Sequence, residues 1–251
     1  EDVKAPECFE VEEEILKAGI PIMHDDQHGT AMVVFAALTN ACKALKKEIS
    51  QLKIVISGAG AAGTAITLLL LDNASPFKEI ADIFMCDTQG IISKQRSDLN
   101  IYKQKLANLT NKNNIQGELK DALINADVFI GVSKGNILTK EMIQSMNNDP
   151  IIFAMANPTP EVDPKLALEA GVGIIATGRS DFPNQINNVL IYPGFFKGLL
   201  EGKDREVTTK KKIAAARALA NIVKKPSKEN ILPSIFDKRV VKEVSQAVMN
   251  N

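Results

Sequence analysis

The feature that most limits the possible folds of this chain is a glycine pattern between two apolar runs. In IVISGAGAAGTA, Gly58, Gly60 and Gly63 follow a β-branched stretch and open a helix-forming one. The first glycine permits a tight turn, the second lets backbone approach a pyrophosphate, and the third lets the helix pack closely on the strand. Ala61 and Ala62 lie at the helix N-terminus, where free N–H groups and a partial positive charge attract phosphates. The pattern therefore predicts a dinucleotide-binding turn.

An acidic residue supports this interpretation. The next predicted strand, ADIFMCD, ends at Asp87. In dinucleotide-binding folds an acid at this position accepts hydrogen bonds from the ribose hydroxyls of the adenosine half. Asp87 favours NAD, because the 2′-phosphate of NADP would meet like charge. Lys94 and Arg96 follow closely and can offset this, so NADP stays an alternative. A glycine-rich turn without a ligand would not require strand, glycines, helix and acid in this order.

Apolar β-rich runs alternate with helix-forming segments along the chain. We predict strands at LKIVIS, ADIFMCD, ADVFIGVS, PIIFAMAN and GVGIIATG, with helices between and after them. Before the first strand, the helix ECFEVEEEILKAG and a strand-like run, IPIM, lead to the long apolar helix AMVVFAALTNACKALKK. Thr139 is predicted to cap the helix TKEMIQSM. This βαβ alternation predicts an α/β fold with a doubly wound parallel sheet of the Rossmann type.

The carboxyl ends of such strands are where ligands bind. Three segments follow predicted strands: GVSKG, ANPTPE and ATGRSDFPNQINN. Small residues in the first, including Ser133, would let a nicotinamide ring and its ribose approach closely. Asn157, Asn187 and Asn188 carry amides that can donate to a carboxylate and accept from an amide or hydroxyl. Asparagine also forms turns, and this alternative is strongest for Asn157, which precedes a proline.

Composition excludes several classes of partner. With 30 basic and 30 acidic side chains among 251 residues, the chain gives no reason to expect a nucleic acid or a membrane as partner. No apolar run reaches transmembrane length, and the opening EDVKAPECFE does not resemble a signal peptide. Three cysteines without paired spacing predict reduced thiols in a cytoplasmic protein. Two of them, Cys42 and Cys86, lie inside apolar runs and are expected to be buried.

A pair of acids occurs in PIMHDDQHGTA. Asp25 and Asp26 lie just before the long apolar helix, where negative charge interacts favourably with the helix dipole. They could also bind a hard cation, since Mg²⁺ and Mn²⁺ prefer carboxylate oxygens. One predicted helix and a short strand separate Glu1 and Asp2 from Asp26, and this out-and-back path could bring the three acids together.

The chain's two histidines flank these acids. His24 and His28 are four residues apart and would share a metal only if the segment were helical. Gly29 and the strand-like IPIM argue against a helix there. We therefore do not expect the histidines to be ligands.

Six segments together resemble one enzyme family. They are EDVKAPECFEVEEEIL, PIMHDDQHGTA, ISGAGAAGTA, MANPTPEV, ATGRSDFPNQINNVLIYPGFFKG and ILPSIFDKRVV. In unbroken order they are similar to roughly the C-terminal two-thirds of a malic enzyme of the small bacterial type. The resemblance covers essentially the whole chain. It implies conversion of malate and NAD(P)⁺ to pyruvate, CO₂ and NAD(P)H with Mg²⁺ or Mn²⁺, by a cytoplasmic homodimer.

The resemblance implies roles for individual residues. It makes Glu1, Asp2 and Asp26 the metal carboxylates. It makes Asp25 the neighbour that orients a catalytic lysine. Substrate-side and nicotinamide-side amides would be Asn157 and Asn188, with Asn187 beside them.

The resemblance also implies a division of the chain. Residues 1–30 would carry the metal ligands and begin the domain, and residues 31–251 would form the NAD(P)-binding domain. The family's general acid, a tyrosine, and its general base, a lysine, belong to an N-terminal domain, and neither Tyr102 nor Tyr192 falls in a matching motif. We therefore expect a longer polypeptide of which this chain is the later part, inactive by itself.

Three alternatives stay open. A malolactic enzyme of the same family keeps NAD bound and releases lactate instead of pyruvate. An amino-acid dehydrogenase also pairs a preceding segment with a Rossmann domain, but it has no need of a metal. A stand-alone dinucleotide-binding module would bind cofactor without turnover.

Overall fold

The structure is a computed structural model that describes residues 3–202 and 205–251. Its strands form a six-stranded sheet in the order β3-β2-β1-β4-β5-β6. The strands are β1 (Lys53–Ser57), β2 (Asp82–Asp87), β3 (Gly90–Ile91), β4 (Val128–Gly131), β5 (Ile151–Ala154) and β6 (Ile174–Thr177). The helices are α1 (Glu7–Lys17), α2 (Asp25–Leu45), α3 (Ala61–Leu70), α4 (Ile101–Leu109), α5 (Leu119–Leu123), α6 (Lys140–Gln144), α7 (Pro164–Glu169), α8 (Tyr192–Glu201), α9 (Thr209–Ile222) and α10 (Arg239–Met249).

All five predicted strands are confirmed, and they pair in parallel. The exception to the parallel arrangement is β3, a short edge strand that pairs antiparallel with β2. The chain order along the sheet reverses between β1 and β4. At such a switch point the connections from neighbouring strands leave in opposite directions and open a crevice at the carboxyl edge.

Alternating residues of each strand enter two different cores. In β1, Ile54 and Ile56 contact a core that α2, α3 and the C-terminal helices complete, whereas Val55 contacts a core that α5, α6 and α7 complete. Helices therefore cover both faces of the sheet, which confirms the doubly wound α/β prediction. Because both faces are buried, the strands read as continuous apolar runs.

The start of α2 differs from the prediction. We expected Gly29 and the run IPIM to keep the residues around Asp25 out of a helix, and the helix instead begins at Asp25. The IPIM residues form no strand. The reason lies in packing: a Cβ on Gly29 would lie 2.0 Å from Oδ1 of Asp25, one turn earlier. Gly29 thus makes room for the Asp25 carboxylate and does not break the helix.

Other elements were not predicted from the sequence. Helix α8 begins at YPG and contains a second glycine, so its sequence resembles a turn. Gly194 and Gly198 in fact allow close contact with α10, since a Cβ at either position would lie within 3 Å of Val244 or Val248. Short elements such as β3 and α7 carry too few residues to produce a periodic signal.

Several smaller predictions are confirmed. The Thr139 hydroxyl accepts a hydrogen bond from the Met142 N–H and caps α6. All three cysteines are buried and unbridged, and burial raises the pKa of the Cys42 and Cys86 thiols to about 12. None of the helices in the two described ranges is long and apolar enough to cross a membrane.

Candidate functional site

A long cleft crosses the carboxyl edge of the sheet at the switch point. It consists of two cavities of about 1000 Å³ each, which meet at Ala5, Gly60 and Ser133. One cavity lies over β2 and β3, and we call it the β2-side cavity. The other lies over the loops after β4, β5 and β6, and we call it the β5-side cavity. Cavities of this size accommodate small-molecule ligands, and two in a row match the two halves of a dinucleotide.

The glycine turn forms the middle of the cleft. Gly58 has a φ of +116°, and a Cβ there would lie 2.6 Å from the Val132 carbonyl oxygen. A Cβ on Gly63 would lie 1.8 Å from the Gly58 carbonyl oxygen, so α3 packs directly on the turn. At Gly60, by contrast, no described atom lies within 4 Å of the Cβ position, which is open towards the cleft. Ala61 and Ala62 begin α3 and line the β5-side cavity.

Asp87 lines the β2-side cavity but is already bound to two cations. Its Oδ1 accepts a hydrogen bond from Arg96 at 2.7 Å, and its Oδ2 accepts from Lys103 at 2.5 Å. Burial alone would raise the pKa of the Asp87 carboxyl, but these hydrogen bonds hold it below its ordinary value. The carboxylate is therefore ionised at neutral pH.

The sequence predicted part of this cluster. Arg96 lies where we expected it to offset the charge of Asp87, and it also forms an ion pair with Asp98. Lys103 was missed, because it comes from α4 and only the fold brings it to the end of β2. Lys94, the other predicted cation, forms none of the ion pairs of the Asp87 cluster. Its backbone N–H donates to the Asn114 side chain instead.

Two loops form the floor of the β5-side cavity. Ser133, in the loop after β4, forms a 3.0 Å hydrogen bond between its hydroxyl and that of Ser57 at the end of β1. Asn157, in the loop after β5, lines the same cavity and precedes a cis proline. Both residues are thus close to where the second half of a dinucleotide would lie.

The loop after β6 is tied to the start of α2. The Asn188 side-chain amide donates to Oδ2 of Asp25, which joins two segments that are far apart in the sequence. Asn187 lines the cavity too, but its Oδ1 accepts from the Val189 N–H and caps a short turn. Turn chemistry therefore accounts for the Asn187 side chain as the structure places it.

Asp26 is the one predicted metal carboxylate that lies within the described residues. Its carboxylate is 56% exposed and lines the β5-side cavity beside Val3 and Lys4. The predicted partners Glu1 and Asp2 lie outside the described residues. Within the described ranges, no group of three or more histidine, cysteine or acidic side chains is placed to hold a metal. A hard oxygen donor on the cavity wall is nevertheless the ligand type that Mg²⁺ or Mn²⁺ takes.

The two histidines have different partners. His24 is buried beside Asp26, with its Nε2 at 3.7 Å from the Asp26 carboxylate and its Nδ1 hydrogen-bonded to Gln27. The His28 ring lies between Glu12 and Lys212, with contacts of 2.6 and 3.0 Å. His28 therefore connects α1 and α9 and does not line either cavity of the cleft.

Glu161 is a buried acid that the sequence analysis did not single out. It ends the segment ANPTPE and is fully buried, and both carboxylate oxygens accept backbone N–H groups. Burial raises the pKa of this carboxyl, and the N–H donors partly oppose that shift. An acid at the end of a predicted ligand loop was the available signal, but sequence alone does not show that it points inward.

Comparison with known proteins agrees with this arrangement. Residues 27–251 match the family model described as malic enzyme, NAD binding domain. The chain is 49% identical over 252 residues to a bifunctional malic/malolactic enzyme of Bacillus subtilis, covering 99% of this chain and 60% of that protein. It is 47% identical to an NAD-dependent malic enzyme of Geobacillus stearothermophilus, covering 99% of this chain and 52% of that protein.

A solved structure is also similar. The crystal structure of NAD-dependent malic enzyme from Thermotoga maritima superposes with a TM-score of 0.93 at 43% identity, covering 99% of this chain and 65% of that one. The chain thus spans somewhat more than half the length of these two curated relatives.

Proposed function

The chain belongs to the malic enzyme family, whose NAD-binding domain it forms, and from that premise we propose that its whole protein oxidises and decarboxylates malate to pyruvate and CO₂. The observation that carries this proposal is the cleft itself. A dinucleotide turn, an ionised acid at the end of β2 and the Asp25–Asn188 pair all border one continuous cleft or lie against its wall.

We assign residues of the cleft to the parts of the cofactor that they would bind. Backbone N–H groups at Ala61 and Ala62 would bind the pyrophosphate, because the first turn of a helix leaves its N–H groups without intrahelical partners. Asp87 would accept from the adenosine ribose. We propose NAD as the preferred cofactor, since the ionised Asp87 carboxylate neutralises cations that would otherwise attract a 2′-phosphate.

The chemical half concerns the β5-side cavity. A bound NAD would supply the acceptor for the hydride at C2 of malate, and a bound divalent metal would supply Lewis-acid stabilisation of the oxygen at that carbon. Asp26, with Glu1 and Asp2, would hold the metal. Asp25 would position the proton-transfer groups that we expect from the rest of the polypeptide, and the Asn188 amide fixes its carboxylate.

The same proposal covers the arrangement of the whole protein. Residues 1–30 would carry the metal ligands and residues 31–251 the cofactor. The whole protein would be a cytoplasmic homodimer, as the resemblance to the family implies. Light scattering of the purified whole protein tests the dimer.

A malolactic activity is the second candidate. It is favoured by the name of the Bacillus subtilis relative, a bifunctional malic/malolactic enzyme. In that reaction the hydride taken from malate would be returned to the three-carbon product while the cofactor stays bound. Lactate would then be released without net change of the cofactor. The same cleft residues would serve both reactions.

Product analysis tests these proposals. The whole protein is incubated with malate, NAD and Mn²⁺, with a chelator-treated sample as control, and organic acids and NADH are quantified. The malic proposal predicts pyruvate and NADH in equal amounts, lost on chelation. Lactate without NADH would favour the malolactic reaction. The absence of turnover in the presence of metal would contradict both.

A further inference from the structure

The structure assigns Glu161 as a positioning residue: its buried carboxylate holds together the two loops that receive the nicotinamide half of the cofactor. This inference rests on the proposed function, because it concerns how that cleft is shaped. It goes beyond it by naming a residue that lies beneath the cleft surface and lines neither of its cavities.

The first observation is how the carboxylate is shared. Oε1 accepts from the Ser133 N–H at 3.2 Å, and Oε2 accepts from the Ala156 N–H at 3.0 Å. Ser133 belongs to the loop after β4, and Ala156 to the loop after β5. One side chain therefore binds both loops at once, each through a different oxygen.

The second observation is the space built for this side chain. A Cβ on Gly131, at the end of β4, would lie 2.3 Å from Cδ and 2.4 Å from Oε1 of Glu161. Any larger residue at position 131 would displace the carboxylate. The end of β4 is thus shaped so that an acid from the next loop can reach under it.

The main chain of the same residue completes the connection. The Glu161 carbonyl oxygen accepts from the N–H groups of Ile137 and Leu138, at 2.9 and 3.0 Å. Backbone and side chain of Glu161 together make four hydrogen bonds to other residues, three of them to the segment that follows β4.

The position of these loops explains what the contact is for. Ser133 lies where the two cavities meet, and Asn157, which directly follows Ala156, lines the β5-side cavity. The adenosine half of a dinucleotide would instead lie over β2, which Glu161 does not contact through the hydrogen bonds described. The Glu161 carboxylate reaches the β2-side cavity through Ser133, at the border of that cavity, and its other bond goes to the loop after β5. A change of the carboxylate alone should therefore weaken binding of the nicotinamide half more than binding of the adenosine half.

This asymmetry gives a test by binding alone. Glu161→Gln keeps the shape of the side chain, but its NH₂ group would face a backbone N–H and push one loop away. In calorimetric titrations of the whole protein, we expect NAD affinity to fall about tenfold and the affinity for ADP, which lacks the nicotinamide and its ribose, to change less than about twofold. A merely structural role would weaken both ligands together.

Controls separate the possible outcomes. Glu169→Gln makes the same substitution on the exposed surface of α7 and should change neither affinity. If Glu161→Gln does not fold, Glu161→Asp decides, because its shorter side chain cannot reach both loops. Equal losses of NAD and ADP affinity, or no loss, would overturn the inference. Failure of the wild-type protein to bind either ligand would instead contradict the proposed function.

Discussion

Asp87 determines the electrostatics of the adenosine side. Its carboxylate is balanced by Arg96 and Lys103, and Arg96 is shared with the more exposed Asp98. The four side chains carry no net charge together. The preference between NAD and NADP therefore depends on whether the bound ribose lies nearer to the carboxylates or to the cations of this cluster.

We expect Asp87→Ala to reverse the cofactor preference. The substitution removes the ribose acceptor and leaves Lys103, and in part Arg96, to attract a 2′-phosphate. NAD affinity should fall by about 1.5 kcal/mol, roughly tenfold, while NADP affinity rises. Calorimetric titration of both cofactors measures this. Asp98→Ala is the matched control, since Asp98 also pairs with Arg96 but lines neither cavity. Equal changes for the two cofactors would remove Asp87 from this role.

Asp25 and Asp26 are adjacent but have different surroundings. The Asp25 carboxylate lies over Gly29 and accepts from Asn188, whereas the Asp26 carboxylate is open to the cavity. We expect Asp26→Asn to weaken Mn²⁺ binding at least about tenfold, because the amide lacks the charge that a hard cation prefers. Asp25→Asn should keep most of the metal affinity and lower turnover by about 10–100-fold.

Titration of Mn²⁺ and steady-state assays of the whole protein distinguish the two aspartates, with melting temperatures as a check on folding. If both acids served only the helix dipole, each variant would lose about 1 kcal/mol of stability or less and bind metal normally. That result would contradict the metal assignment. Metal loss in the Asp25 variant alone would mean that the two roles are reversed.

At the level of elements, two glycines at the junction of β1 and α3 serve different purposes: Gly60 leaves space for a cofactor, and Gly63 lets the helix pack on the turn. The same substitution at these two glycines should therefore affect different properties, cofactor affinity at one and stability at the other. Gly60→Val places its branches in the open part of the cleft, so we expect cofactor affinity to fall at least about 100-fold with an unchanged fold. Gly63→Val meets the Gly58 carbonyl oxygen and should cost about 3 kcal/mol of stability or more.

Thermal melts and NAD titrations of the two glycine variants measure this difference. The wild-type protein and a Gly171→Val variant, whose glycine has open space and lines neither cavity, serve as references. Gly171 has a φ of +93°, so its variant also reports the cost of backbone strain alone. Normal NAD binding by Gly60→Val would show that the turn is not a pyrophosphate site.

The elements differ in how well the sequence predicted them. Long apolar strands such as β1 and β5 were found because both of their faces are buried, which leaves an unbroken signal. Helix α8 was missed because it contains two glycines, and the first turn of α2 was missed because Gly29 directly follows it. In both places the glycine makes room for a neighbouring group, and sequence alone does not distinguish that role from a helix break.

Over the whole molecule, the sequence could predict which residues line the carboxyl edge of the sheet, but not the contacts between them. Strand order and the glycine turn place the ligand at the carboxyl edge, so Asp87, Ser133 and Asn157 could be named in advance. The partners Lys103 and Glu161 could not, because each reaches the site from a segment whose direction only the packed fold determines.

The measurement that tests this account most directly is the position of NAD in a crystal structure of the whole protein grown with the cofactor. We expect the pyrophosphate within hydrogen-bonding distance of the Ala61 and Ala62 N–H groups. The adenosine ribose should lie at Asp87, and the nicotinamide between Ser133 and Asn157. NAD bound outside this cleft, or bound with its two halves exchanged, would contradict the account.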